Sequence, residues 1–216
     1  MKTLYQKYPK ELLNTLPVVQ YEGRIVTVLS QDQARKAVDY LLAQPILGVD
    51  TETRPSFQRG QHHKTALLQV AASDTCFLFR LNIIGCGPDV KRLLEDQTVP
   101  KIGLSWHDDL LQLSHSCDFT PGLFLDLQNH VRELGVEDLS LQKLFANFFG
   151  QKISKSQRLT NWEADTLGDK QKSYAAIDAW ACLQIWHEYQ RLKQARDYIL
   201  IPAVEDDSQP DTLKKT

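Results

Sequence analysis

The run Ile46-Leu47-Gly48-Val49-Asp50-Thr51-Glu52 decides how the rest of the chain is read. Its apolar first half and acidic second half suit a central strand that ends in a site. Asp50 and Glu52 are two residues apart, so a strand projects both carboxylates from one face. Pro45 separates this strand from a helix predicted over 31–44, which Ser30 caps and whose Ala34, Ala37, Val38, Leu41 and Leu42 turn inward. Residues 24–29 are rich in β-branched side chains and read as an earlier strand. Residues 54–64, beyond the acids, are polar and charged and form a connection.

Two further strands are predicted at 65–72 and 75–81, joined by a Ser73-Asp74 turn. So short a link makes them antiparallel neighbours. From Gly87 the pattern changes to helix (89–95), short strand (101–104), helix (108–116), strand (123–127) and helices at 128–134 and 139–149. Residues 151–167 are irregular and polar, and a long helix without Pro or Gly covers 171–192. An antiparallel meander followed by strand–helix alternation predicts an α/β domain of three layers, a mixed central β-sheet flanked by helices. That domain is expected over 23–195, preceded by an arm laid on it (1–22) and followed by a disordered acidic tail (196–216).

The chain has 216 residues, enough for one sizeable core. No apolar run reaches membrane-spanning length and residues 1–10 carry no apolar signal core, so a cytoplasmic protein without a membrane partner is expected. Cys76, Cys86, Cys117 and Cys182 form no CxxC pair, which predicts unpaired thiols in a reducing compartment. The net charge of −2 argues against a general duplex binder. A polyanionic substrate would have to be held by a local basic patch or by metal ions.

Tyr174 and Asp178 are four apart on the long helix and share a face. Ala175, Ile177, Leu183, Ile185 and Trp186 form no single stripe, so this helix is expected to touch structure on more than one side, with Asp178 at least partly inside the fold. A buried carboxylate must be paired, hydrogen-bonded or metal-bound. Asp50, Glu52, the Asp108-Asp109 pair at a helix start and Asp178 supply hard oxygen donors from three separate segments, as a two-magnesium site requires. Two such ions, about 4 Å apart, clamp the attacking and leaving oxygens of a phosphodiester. His62, His63 and His107 lack the cysteine or His-Glu-x-x-His context of zinc ligands and are read as non-ligands.

Asp50-Thr51-Glu52, Asp109 after Lys101-Ile102-Gly103-Leu104, and Tyr174-x-x-x-Asp178 together resemble the three ordered motifs of the DEDD 3′–5′ exonucleases. The tyrosine resembles the DEDDy branch, the ribonuclease D-like group, nearest to its Werner-type exonuclease domains. The likeness runs from about Ile46 to Gln190, with support from Lys64-Thr65-Ala66-Leu67-Leu68-Gln69 and Ser156-x-x-x-x-Asn161-Trp162. It implies a ribonuclease H-like fold, two divalent cations (Mg2+ or Mn2+), and hydrolysis of nucleic acid from the 3′ end to nucleoside 5′-monophosphates. It implies that Asp50, Glu52, Asp109 and Asp178 hold the metals and that Tyr174 positions the attacking water. Asp109 is preferred to Asp108 because the family's second acid lies six residues after the glycine, here Gly103. Thr53, Phe57, Lys155, Arg158 and Trp162 are candidate substrate contacts, with Phe57 either stacking on terminal bases or anchoring the core. The partner would be a DNA or RNA 3′ end. The chain departs from the family after Trp162, where Glu163-Ala164-Asp165-Thr166-Leu167 replaces basic residues and a proline. It carries no helicase motif, so a stand-alone exonuclease domain is expected. Two rival readings use the same fold: a catalytically silent nucleic-acid-binding module, and a small-nucleotide phosphodiesterase.

Overall fold

Leu47 and Val49 are fully buried at the middle of a sheet, as an apolar run covered on both faces requires. The structure, a computed structural model, describes residues 1–58 and 60–203. In chain order its elements are β1 (Lys2–Tyr5), α1 (Lys10–Thr15), β2 (Arg24–Val28), α2 (Gln31–Leu41), β3 (Leu47–Thr53), β4 (Thr65–Ala71), β5 (Thr75–Phe79), α3 (Leu81–Ile84), α4 (Pro88–Glu95), β6 (Lys101–Gly103), α5 (Trp106–Ser114), β7 (Phe124–Asp126), α6 (Leu127–Val131), α7 (Leu141–Phe149), α8 (Asp169–Ala195) and β8 (Tyr198–Ile201). Arg132–Leu134 forms a short 3-10 turn after α6.

Six strands pair in the order β2-β5-β4-β3-β6-β7. β3, β4 and β5 are the expected antiparallel meander, and β6 and β7 extend it in parallel from β3. β2 lies at the far edge, parallel to β5. The sheet is thus mixed. Its alternation sorts side chains to two cores: Leu68, Val70, Phe77 and Phe79 pack on the face covered by α2 and α4, while Leu67, Ala71, Cys76 and Leu78 face α8. α8 buries Ala175, Ala176 and Ala179 against the sheet and Ile185, Tyr189 and Leu192 among α6 and α7, which explains why its apolar residues form no single stripe.

Gly48 has a packing reason. A Cβ there would overlap the carbonyl oxygen of Ala179, so only glycine lets the α8 backbone rest directly on β3. This contact sets the height of Asp178 above Asp50.

The N-terminal segment docks on α7. Asn147 accepts from the Tyr5 N–H at 2.9 Å and donates to the Tyr5 carbonyl at 2.7 Å, and Leu4 is fully buried. Three expectations need correction. Leu81 starts a short helix rather than ending a strand. The tail expected over 196–216 contains β8, which pairs in parallel with β1 (Lys2 with Tyr198, Tyr5 with Ile201), and 204–216 lies outside the described residues. Cys86 and Cys117, expected as free thiols, form a disulfide with their Cα atoms 5.3 Å apart. They are 31 residues apart, and only the packing of the loop after α3 against the end of α5 brings them together. Cys76 and Cys182 are free and buried.

Candidate active site

β3 delivers Asp50 and Glu52 to one face, and α8, seated on Gly48, lowers Asp178 onto the same spot. One carboxylate oxygen from each of the three lies within 4.8 Å of the others. A register shift between Glu52 and Thr53 ends the regular pairing just past the second acid. Asp178 is almost fully buried, and Asp50 and Glu52 are partly so.

Asp109, in the first turn of α5, is not one of the three acids within 4.8 Å, though its charge acts on Asp50; it accepts a 2.7 Å hydrogen bond from the Thr51 hydroxyl. Its neighbour Asp108 points away, with a side chain 97% exposed and bonded to His107. The start of α5 is strained: Ser105 has φ 59, in the left-handed region. Asp126 at the end of β7 holds it there, accepting from the Ser105 and Trp106 N–H groups, each at 3.1 Å. The same carboxylate caps α6 through the Gln128 N–H at 2.9 Å. Thr51 and Asp126 were missed in the sequence. Thr51 carried a signal, being the hydroxyl between two site acids, but which acid it would meet depended on where α5 landed.

Like charges in a desolvated cleft resist ionisation. Burial, then the Asp178 and Asp109 charges, hold the Asp50 carboxyl well above the ordinary range. Burial followed by Asp50 and Asp178 pushes Glu52 up to about 10, with Arg158 opposing. Burial raises Asp178 to about 7 and lifts Asp109 as well. Tyr174 is raised above 10 by burial and by the Asp178 and Glu52 charges, so its phenol stays protonated. It can donate a hydrogen bond into the cleft. The donor set fits divalent cations: several hard carboxylate oxygens converge, and their charge calls for neutralisation that Arg158 alone does not supply.

The outer candidates separate. Phe57 is 83% exposed, so it does not anchor the core. Lys155 and Arg158 are exposed on the irregular segment, and Thr53 is half-buried at the end of β3. Trp162, expected to touch substrate, has no exposure; its ring packs 6.0 Å from that of Tyr174. It is a wall behind the tyrosine rather than a contact surface, because the apolar cluster around α8 closes over it. His63 faces Glu163 and His107 faces Asp108; among the described residues no histidine joins the trio. Among the described residues no helix is long and apolar enough to cross a membrane.

Comparison with known proteins points the same way. A family profile described as 3′-5′ exonuclease matches residues 25–193. The chain is 29% identical to the bifunctional 3′-5′ exonuclease/ATP-dependent helicase WRN of Mus musculus, over 94% of its own length and 15% of that protein's. Two solved structures share the fold: the Nibbler EXO domain of Aedes aegypti (TM-score 0.74, 20% identity, 84% of this chain and 94% of that one) and RNase D of Escherichia coli (TM-score 0.71, 21% identity, 80% of this chain and 46% of that one).

Proposed function

The chain belongs to the 3′-5′ exonuclease family, and from that premise we propose that it is a two-metal exonuclease of the DEDDy type. It would hydrolyse nucleic-acid phosphodiester bonds from the 3′ end and release nucleoside 5′-monophosphates. The observation that carries this reading is the convergence of Asp50, Glu52 and Asp178 within 4.8 Å, in a cleft that also holds Asp109 and Tyr174.

Asp50, Glu52 and Asp178 would hold the divalent cations, with Asp109 fixed for the same task by Thr51. Such ions supply an acidified water and neutralise charge on the leaving oxygen. The protonated Tyr174 hydroxyl would accept or donate a hydrogen bond to that water and align it opposite the leaving 3′ oxygen. Trp162 keeps the tyrosine ring in place from behind. Phe57 would stack on terminal bases, and Lys155 and Arg158 would meet phosphates, while Thr53 borders the terminal nucleotide. The mouse relative is named as a helicase fusion, and this chain spans 15% of it, so DNA and RNA 3′ ends are both substrates to try.

The test is a time course on 5′-labelled single-stranded, duplex and dinucleotide substrates in Mg2+ or Mn2+. A ladder shortening from the 3′ end, with nucleoside 5′-monophosphates as product, is expected. No digestion with either cation, or undiminished digestion in excess EDTA, would reject the reading.

A further inference from the structure

Glu163 sits in the irregular segment directly after Trp162, away from the acid trio. Its two carboxylate oxygens reach both ends of the 54–64 connection: Oε2 lies 3.2 Å from Arg54 Nη1 and Oε1 lies 3.6 Å from His63 Nδ1. The returning end of the loop is tied a second time, because Gln112 Nε2 donates to the His63 carbonyl at 2.7 Å. Gln112 is on α5, one turn after Asp109. Asp109's helix, Glu52's strand and Glu163's segment therefore meet at the base of a single loop, and that loop presents Phe57.

Among the described residues of this loop no hydrophobic side chain is buried. Its His62, His63 and Lys64 line a pocket of about 470 Å³ together with Leu81 and Leu113, and Phe57 points to solvent. An isolated exposed ion pair contributes little. Here, however, one carboxylate only 28% exposed bonds Arg54 at one end and lies against His63, 14% exposed, at the other, a contact that is an ion pair when the imidazole carries a proton. Closing a loop costs entropy that grows with its length, so tethers at both ends matter most where no packing shares the task.

We propose that Glu163 is a positioning residue for substrate binding: through Arg54 and His63 it holds the loop that follows the strand of Glu52 and presents the exposed Phe57. This rests on the exonuclease reading for the identity of the ligand, a nucleic-acid 3′ end. It predicts that grip on nucleic acid and the chemical step respond to different residues.

The test compares wild type with Glu163→Gln. Fluorescence anisotropy with a 3′-ended single-stranded oligonucleotide in Ca2+ reads Kd without requiring turnover, and digestion in Mg2+ reads kcat. Kd should rise roughly 3- to 10-fold, kcat should stay within about twofold, and trypsin should cut faster between residues 54 and 64. Combined with Arg54→Gln, the effect on Kd should be no larger than that of the stronger single change, because both break one clamp. If Glu163→Gln melts early, His63→Gln tests the clamp from its other end with the same expected rise. An unchanged Kd overturns the inference whatever the digestion pattern. Additive effects of Glu163→Gln and Arg54→Gln overturn it too, since Arg54 would then act on the nucleic acid directly. A wild-type chain that binds the oligonucleotide but hydrolyses nothing in Mg2+ or Mn2+ defeats the exonuclease reading, and the Kd comparison still decides this inference.

Discussion

The seam between β3 and α8 and the loop over 54–64 both border the acid cleft, and they are held by opposite means. The seam is close-packed: Gly48 admits the α8 backbone, and Ala175, Ala176 and Ala179 are buried against the sheet beside it. The loop is polar and exposed, tied by Glu163, Arg54, His63 and Gln112 beside a pocket. Groups that must meet within ångströms are carried by the close-packed region, where packing tolerates little displacement. The aromatic that would meet variable bases is carried by polar tethers that individually contribute little. Damage to the seam should therefore reach turnover, and damage to the loop should reach affinity.

The largest effect should come from the trio. Asp50→Ala is expected to lower kcat by more than about 1000-fold, roughly 4 kcal/mol, in a protein with an unchanged far-ultraviolet circular dichroism spectrum; wild-type turnover would remove Asp50 from the site. Tyr174→Phe keeps the ring against Trp162 and removes only the hydroxyl. Its kcat should fall about 10- to 1000-fold, roughly 1–4 kcal/mol, with manganese affinity unchanged in titration calorimetry. A lost metal site there would mean that the phenol acts through coordination.

The seam also stores charge repulsion, which metal-free protein should reveal. Asp178 has a folded pKa of about 7, raised above its unfolded value by burial. Its protonated form is favoured by folding, so that stabilisation is present at about pH 4 and below and is lost as pH rises through about 7. In EDTA, Asp178→Asn should be more stable than wild type at pH 8 by roughly 1–3 kcal/mol and level with it at pH 4. Saturating Mg2+ should shrink or reverse the difference. Equal melting curves at pH 8 in EDTA would show that the repulsion is relieved in some other way.

Gly48→Ala sets a methyl against the Ala179 carbonyl. Overpacking of this kind costs about 1–3 kcal/mol, read as a lower Tm, and kcat should fall with it because Asp178 shifts away from Asp50. Unchanged kcat at a lower Tm would uncouple the seam from chemistry. The smallest effect belongs to the loop: Phe57→Ala should raise KM on oligonucleotides by about 1 kcal/mol, close to fivefold, at constant Tm. A Tm drop at constant KM would give the aromatic a packing role.

Much of the candidate set was legible because it lies in short motifs on regular elements. Strand alternation alone puts Asp50 and Glu52 on one face, and helical periodicity puts Tyr174 above Asp178. Between the two neighbouring acids the structure shows a difference of surroundings: Asp108 faces solvent, while Asp109 accepts from Thr51. The choice of Trp162 as a substrate contact did not survive, because an aromatic in a polar stretch gives no sign of whether a neighbouring helix will bury it. Glu163 was noticed only as a departure from the family, and its partners are 100 or more residues away in sequence. Pairing at such separation leaves no periodic trace.

The amino-acid sequence by itself determined the order of the central strands and of the helices between them, the acidic end of β3, the shared face of Tyr174 and Asp178 on α8, and the mixed α/β class, since each follows from local periodicity and residue type. Only the tertiary structure decided that β2 lies parallel to β5, that β8 closes on β1, that Cys86 meets Cys117, and that Glu163 joins both ends of the Phe57 loop. The physical reason is the range of the forces. Side-chain direction along a strand or helix is set by neighbours a few bonds away, whereas these four contacts exist only after packing has brought distant segments together.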